Sequence, residues 1–443
     1  MLGKEKLNRL LFTQVDNAPL IVFRILFGLL LFLETAGAIV TGWIGYTLVE
    51  PEFTFNFIGL EWLQPLPGNG MYYYYAFMSI MGLMVMFGYR YRLSLSIFTV
   101  MWTATYLMQK ASYNNHYYLL IFICLLMLIL PAHRYYSWDV KRKPSLKSLS
   151  MPRWCIVIIV VKLWVVYTYA SVAKIYPDWL DTTAVQSLMA SKADYPLIGA
   201  WLQEKSTHYF IAYSGILFDL LIVPLLLWKP TRNMAFAASV FFHIFNSIVF
   251  QIGIFPYLSL AFTVFFYPPE TIRRLFLPRK PKYEGNEIQI PEKRNLYLSL
   301  AVIYFVIHIL LPLRHWVIKD DVLWTEEGHR MSWRMMLRTK SGYISFKVVN
   351  KDTGKTKIID PKEFLSPKQS RMIASKPDVI WQFAQRIKKN ENALGNDVAI
   401  YAKGKVRVNQ GTLKTLIDPE VDLAAEPWSH FKHHDWILPS EKE

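Results

Sequence analysis

The chain has 443 residues, of which 53% are hydrophobic and 16% aromatic, and a formal charge of +16. That apolar content is too high for an ordinary water-soluble enzyme of this size and points to an integral membrane protein. The charge points away from nucleic acid, because Lys and Arg cluster in short connections between apolar runs, where they set topology.

Residues 1–17 are basic and moderately amphipathic. They read as an interfacial lead-in, since the apolar run behind them is too long for a signal-peptide core. Apolar runs then follow at 18–40, 71–88, 93–108, 116–130, 154–172, 210–228, 234–250, 255–266 and 296–313, against the roughly 20 residues a bilayer requires. The eighth is short enough to be tilted, extended or re-entrant. One set of alternate connections carries 20 Lys and Arg and the other carries 4. Positive residues stay in the cytoplasm, so nine runs predict a cytoplasmic N-terminus and an extracytoplasmic C-terminus.

After Pro312 the composition turns polar and mixed. Residues 345–350 and 355–360 flank Lys351-Asp352-Thr353-Gly354 as a hairpin, 366–389 has helical period, and 398–408 with 412–417 reads as a second strand pair. The expected fold is therefore an all-α polytopic membrane bundle of about nine spans over 1–314, with an extracytoplasmic α+β domain over 315–443.

Cys124 and Cys155 fall on different runs at different depths, which argues against a disulfide. No metal site is expected: zinc-ligand spacing is absent, as are Walker and Rossmann glycine patterns and a nucleophile elbow. His430, His433 and His434 read as a solvated tail.

Several polar residues lie where a bilayer disfavours them. Arg24 and Glu34 are inside the first run and Lys162 inside the fifth, each at a cost of about 2.5–3.5 kcal/mol. Snorkelling or interhelical pairing accounts for Arg24 and Lys162, whereas Glu34 fits either a structural role or a polar cavity. On the expected outer side, Asn114, Asn115 and His116 open the fourth run, Lys174 closes the fifth, His243 lies inside the seventh and His315 follows the ninth. Convergence of these groups at one depth describes a base with hydrogen-bond donors, open to lipid and to the outer face. A lysine acts as a base only when neutral, and desolvation at an apolar mouth disfavours its charged form. Asp178 and Asp181, close in sequence, must then face away from it.

Seven ordered motifs span nearly the whole chain. They are Phe23-Arg24-Ile25-Leu26-Phe27-Gly28, Tyr113-Asn114-Asn115-His116, Tyr135-Tyr136-Ser137-Trp138-Asp139 and Tyr169-Ala170-Ser171-Val172-Ala173-Lys174 with Asp178-Trp179. Phe242-His243-Ile244-Phe245-Asn246-Ser247, Ile252-Gly253-Ile254-Phe255-Pro256-Tyr257 and Trp324-Thr325-Glu326-Glu327-Gly328-His329-Arg330-Met331-Ser332-Trp333-Arg334-Met335-Met336 complete the set. Together they resemble the vitamin K-dependent γ-glutamyl carboxylase family, whose membrane part is called the HTTM domain.

The resemblance implies that Lys174 is the base that deprotonates reduced vitamin K, a hydroquinone of which a menaquinol is one form. Oxygenation of the quinol by O2 then yields a strong base that takes the γ-proton of a peptide glutamate. CO2 adds to the carbanion, and the quinone leaves as its epoxide. By the same resemblance Asn115, His116, His243 and His315 support the quinone site, and His329, Arg330 and Trp333 are glutamate-binding candidates. The implied partners are a secreted or membrane-exposed Glu-containing peptide and a quinone arriving from lipid. Animal members carry a lysine pair where this chain has Ala173-Lys174, and Tyr where it has His329. Two other readings remain beside this one: a quinol epoxidase or carboxylase of another acidic substrate, and a non-catalytic quinone- or lipid-binding membrane protein.

Overall fold

The computed structural model describes residues 2–440; Met1 and residues 441–443, which the expected lead-in and C-terminal domain include, lie outside the described residues. The lead-in is a helix, α1 (Leu2–Phe12), followed by a short strand β1 (Gln14–Asp16). All nine expected runs are helical: α2 (Ala18–Val40), α3 (Gly70–Phe87), α4 (Tyr91–Met108), α5 (Asn115–Ile129), α6 (Trp154–Val172), α7 (Lys205–Leu227), α8 (Arg232–Phe250), α9 (Phe255–Ala261) and, beyond a short helix α10 (Pro269–Phe276), α11 (Arg294–Leu313).

Among the described residues six helices are long and apolar enough to cross a membrane: α2, α3, α6, α7, α8 and α11 with its continuation to Trp316. The other three expected runs differ from these for separate reasons. α4 has the length but carries Arg92, Ser94, Ser96, Thr99, Thr103 and Thr105. α5 has 15 residues, about 22 Å at 1.5 Å per residue, against a hydrocarbon core of about 30 Å. α9 tightens into a 3-10 turn, Phe262–Phe265, so the eighth run covers only about 18 Å.

α2 is the central helix, with Leu20, Ile21, Phe23, Phe27 and Leu31 fully covered. It packs on α3 backbone to backbone, because a methyl group on Gly28 would overlap Met86 and one on Gly82 would overlap the Phe32 backbone. Small residues at such crossings are how membrane helices gain close contact without a hydrophobic drive. α11 instead leaves Leu296, Leu300, Val302, Ile303, Ile307 and Leu310 exposed. An apolar face of that size belongs in lipid.

The C-terminal region forms a four-stranded antiparallel sheet, ordered β4 (Thr356–Ile359), β3 (Lys340–Asn350), β5 (Val398–Val408), β6 (Lys414–Thr415). Both local strand pairs occur as expected from sequence, and the long β3–β5 ladder from Lys340↔Val408 to Asn350↔Val398 joins them. Two helices, α11's successors α12 (Pro367–Ile373) and α13 (Pro377–Ala393), accompany the sheet, and Val379, Ile380 and Phe383 of α13 share its core with Phe346 and Ile400.

That core also contains Phe55, with Phe53 packed against it, both from the connection between α2 and α3. Gln369 donates to the Phe53 carbonyl at 2.8 Å, Gln382 to that of Asn56 at 3.1 Å, and Lys110, between α4 and α5, meets Asp378 at 2.6 Å. These connections are the cation-poor ones, so they and the C-terminal sheet share one end of the bundle. The cation-rich connections meet at the other end, where β1 pairs with β2 (Ser150–Pro152) and Asp16 binds Lys280 at 2.8 Å. Cys124 and Cys155 are both buried and free.

Candidate active site

Lys174 lies just past the end of α6, where the chain turns into the helix around Trp179. Its ammonium donates to the Ala170 carbonyl at 3.0 Å and to Asp219 Oδ2 at 2.5 Å. Both side chains are nearly enclosed, at 10% and 7% exposure, so solvent contributes little screening to the pair. Asp219 projects from the middle of α7, which is locked to α6 by Ser171 donating to the Ile216 carbonyl at 3.0 Å. Asp178 and Asp181 are turned to other partners: Asp178 accepts from Asn409 and Asp181 from the Thr183 backbone.

Lys174 and Asp219 line a cavity of about 100 Å³ together with His116, Tyr167 and His243. His243 Nε2 is 3.2 Å from the Tyr167 hydroxyl, while its Nδ1 is buried without a partner. His116 stacks on Phe255 at 3.9 Å, and Phe218 and Phe242 stand edge-on to His243. The result is an aromatic chamber with a cation–carboxylate pair and two imidazoles in its wall.

A second, wider cavity of about 1320 Å³ adjoins the end of α6. Ala173 lines this outer cavity and Lys174 the inner one; Arg334 lines the outer and Met335 and Met336 the inner. The two spaces therefore share a wall built from residues 173–174 and 334–336. The segment that supplies the second half of that wall is strained, since Met331, Trp333 and Met336 all take positive φ, a conformation that costs L-residues free energy and tends to be kept where function needs it. Asn115 holds this segment, donating to the Arg334 carbonyl at 2.8 Å and accepting from Tyr113 at 2.9 Å. Gly328, at φ 73°, lies so close to His315 that a side chain there would overlap its backbone.

His315 is on the outer cavity, away from Lys174. Its Nδ1 is 2.7 Å from the Pro312 carbonyl and its Nε2 3.3 Å from Arg334 Nη1. An arginine only donates, so Nε2 accepts, Nδ1 donates to the carbonyl, and the imidazole is neutral. Arg334 has no carboxylate partner among the described residues, and its Nε is buried without a hydrogen bond. Burial lowers its pKa to about 10.

The three glutamate-binding candidates are engaged elsewhere. Arg330 binds Asp378 at 2.5 Å. Trp333 is 1% exposed and packs tilted against Tyr118 at 4.9 Å, with Lys162 Nζ 4.5 Å from its ring and 2.9 Å from His308. His329 is half-buried, with its Nδ1 unpartnered, beside the charges of Glu326, Arg338 and Lys376. Glu34 accepts from Tyr117 at 2.5 Å, tying α5 to α2. The reading of His433 and His434 as solvated requires correction: both bind Glu327, at 2.7 and 2.8 Å, and close the C-terminal segment onto the Glu326-Glu327 turn. No cluster of metal-ligating side chains occurs among the described residues.

Glu326 contacts Arg338, and lies 2.6 Å from Lys376 and 3.6 Å from Lys340. Burial raises its pKa, but these three cations overcome that and hold it well below the usual value. A carboxyl depressed in the folded state contributes stability above its unfolded pKa of about 4.3, which is lost as pH falls further. The thermal midpoint should accordingly drop as pH is lowered from 6 to 3. Glu326→Gln, which takes up no proton there, should lose much of that slope while starting about 3–5 kcal/mol less stable. Thermal melts at several pH values check both. An unchanged slope in the variant would remove Glu326 from the account.

Two residues of the site were not singled out from sequence. Asp219 is an acid inside an apolar run, the same signal that marked Glu34. Arg334 lies in the last family motif beside Arg330, and nothing in the string separates the paired guanidinium from the unpaired one.

Comparison with known families adds the decisive observation. The HTTM domain model matches residues 12–270 and the model of the vitamin K-dependent gamma-carboxylase lumenal domain matches residues 293–443. The chain belongs to the vitamin K-dependent γ-glutamyl carboxylase family. No solved structure matches it. Both halves of this carboxylase-type membrane protein are thus accounted for, and the cavity wall draws on both: Lys174 comes from the HTTM match and Arg334 from the lumenal-domain match.

Proposed function

We propose that the chain is a membrane γ-glutamyl carboxylase that couples oxygenation of reduced vitamin K to CO2 addition at a peptide glutamate. The observation that carries this is the Lys174–Asp219 pair in an aromatic chamber, across a shared wall from an outer cavity lined by Arg334, which has no carboxylate partner among the described residues. We place the membrane domain at 1–314 and the second domain, outside the cytoplasm, at 315–443.

The residues fit a quinol. Aromatic faces from Phe242 and Phe255 suit its rings, and the partnerless Nδ1 of His243 suits an oxygen. The chamber of about 100 Å³ is below the roughly 300–1,000 Å³ of ordinary ligand sites. Entry then requires side-chain movement, which the unbranched Met335 and Met336 in its wall permit. When bound, reduced vitamin K with O2 supplies the strong base that a lysine alone is not.

Asp219 has the role of proton acceptor within the pair. Two opposite charges in an apolar chamber lose much of their hydration, and moving the proton from Nζ to Oδ2 across 2.5 Å leaves a neutral amine and a neutral acid. The amine can then take the quinol proton. His116 and His243 orient the quinol oxygens, and Asn115 positions the Arg334 segment.

Arg334, with His315, holds the substrate γ-carboxylate in the outer cavity. Its positive charge also opposes the negative charge that builds next to that carboxylate when the γ-proton leaves. His329, Arg330 and Trp333 act by fixing the wall, through the Glu326 cluster, Asp378 and the Tyr118 contact respectively.

The test is purified protein in nanodiscs with reduced vitamin K, O2, labelled bicarbonate and a Glu-rich peptide. Epoxide and fixed label together are the expected result. Epoxide without label would reduce the proposal to quinol epoxidation, and neither product from folded protein would favour a quinone-binding role.

A further inference from the structure

The motifs around Arg24 and Tyr135–Asp139 have no part in the chemistry at Lys174, since they lie at the opposite end of the bundle. Arg24, fully buried about two turns inside α2, donates to the carbonyls of Ala132 and Tyr135 at 3.1 and 3.2 Å and of Tyr136 at 2.6 Å. It thereby pins the connection after α5 against the bundle. Asp139 completes the fold of that connection by accepting from the Arg90 and Tyr91 backbone at 2.8 and 2.9 Å. A side chain on Gly88 would overlap Ser137 and crowd Arg24.

What this scaffold creates is a cavity of about 750 Å³, lined by Arg24, Lys141, Lys147 and Arg279 and by no acidic residue. Lys141, Lys147 and Arg279 are exposed and have no carboxylate partner among the described residues. Of the acids nearest these cations in sequence, Asp139 is committed to backbone, Glu270 to Arg273 at 2.8 Å and Glu284 to Lys282 at 3.2 Å. Arg24 brings a second unmet demand, because its Nε is buried without a partner. Four like charges lining one concavity repel one another, and an anion seated among them turns that repulsion into attraction.

The apolar part of the lining decides between kinds of anion. Phe87, Trp138 and Phe276 line the same cavity and are 47%, 51% and 54% exposed. A free phosphate leaves these rings in water, whereas a phospholipid covers them with its acyl chains and presents its phosphate to the cations. Trp and Tyr at this level are typical of the headgroup region, and Tyr135 and Tyr136 complete the lining.

We infer that the cavity between the connection after α5 and the end of α10 is a binding site for the headgroup of an anionic phospholipid. It is independent of the quinol chemistry and stands if that proposal fails.

Native mass spectrometry in mild detergent tests it, with phosphatidylglycerol and phosphatidylcholine of identical chains as probes. Wild type should retain phosphatidylglycerol in preference. Each cation near an anionic headgroup is worth about fivefold in selection, so the triple variant Lys141→Gln/Lys147→Gln/Arg279→Gln should lose about a hundredfold of that preference. Arg24 is left intact because its removal would unfold the connection it pins. Trp138→Ala/Phe276→Ala should weaken both lipids alike. An unchanged preference in a triple variant that runs as a monodisperse species would overturn the inference. Displacement of the lipid by inorganic phosphate at equal concentration would also overturn it, by making the occupant a free anion.

Discussion

Lys174→Ala is expected to lower epoxide formation by about 10²–10⁴-fold, the contribution of a positioned acid–base group, with fixed label falling in parallel. The substitution has a second effect that must be separated from the first. It strands Asp219, 7% exposed, without the cation 2.5 Å away, and an uncompensated buried charge costs about 3–5 kcal/mol. Lys174→Met/Asp219→Leu removes both charges and fills the space with apolar side chains, so it should recover the melting temperature while staying inactive. Activity returning with stability in the double variant would mean that Lys174 serves the fold and not the chemistry. Asp219→Asn separates the partners differently: it keeps the amine but offers no site for its proton, so a loss of epoxide formation with wild-type peptide affinity is the outcome that supports proton sharing.

The second large effect is expected at Arg334. If this guanidinium receives the substrate carboxylate, Arg334→Gln should raise the KM for a Glu-containing peptide at least thirtyfold, corresponding to about 2 kcal/mol, the lower end for a desolvated charge pair. Quinol oxygenation at saturating peptide should be far less affected, because the chamber holding Lys174 lies on the other side of the wall. Arg334→Lys should recover only part of the affinity, since an ammonium lacks the planar fork that addresses both His315 and a carboxylate. Arg330→Gln provides the contrast. It releases Asp378 from one of its two cations and should lower the melting temperature with little change in KM. An unaltered KM in Arg334→Gln would move the carboxylate site elsewhere.

The membrane helices were legible because a bilayer imposes composition on every residue that faces it, and each of the nine apolar runs is helical. What composition does not encode is which runs suffice alone; α9 is broken by its 3-10 turn, and α4 hides its hydroxyls against neighbours, with Ser94, Thr99 and Thr105 buried. In the C-terminal region the two local strand pairs followed from turn chemistry. The β3–β5 ladder that unites them joins residues such as Lys340 and Val408, and no local signal reports a partner so distant. At the site, Lys174 could be noticed because it closes an apolar run, but its pairing with Asp219 depends on two helices meeting. Likewise Arg330 and Arg334 look alike in the string, and only the presence of Asp378 beside one of them tells them apart.

Phe53 and Phe55 reach the core beneath the C-terminal sheet from near the start of the chain, and Gln369 grips the Phe53 carbonyl across a separation of 316 residues. At a synthesis rate of about 5–20 residues per second, that separation corresponds to roughly 15–60 s between the emergence of the two partners. During this interval Phe53 and Phe55 lack the core they fill in the folded chain, and a holdase that shields them should raise the yield of folded protein. The same feature bears on excision: a fragment beginning at 315 lacks Phe53 and Phe55 from its core, and supplying residues 50–57 in trans, or grafting them onto its end through a linker, should raise its stability.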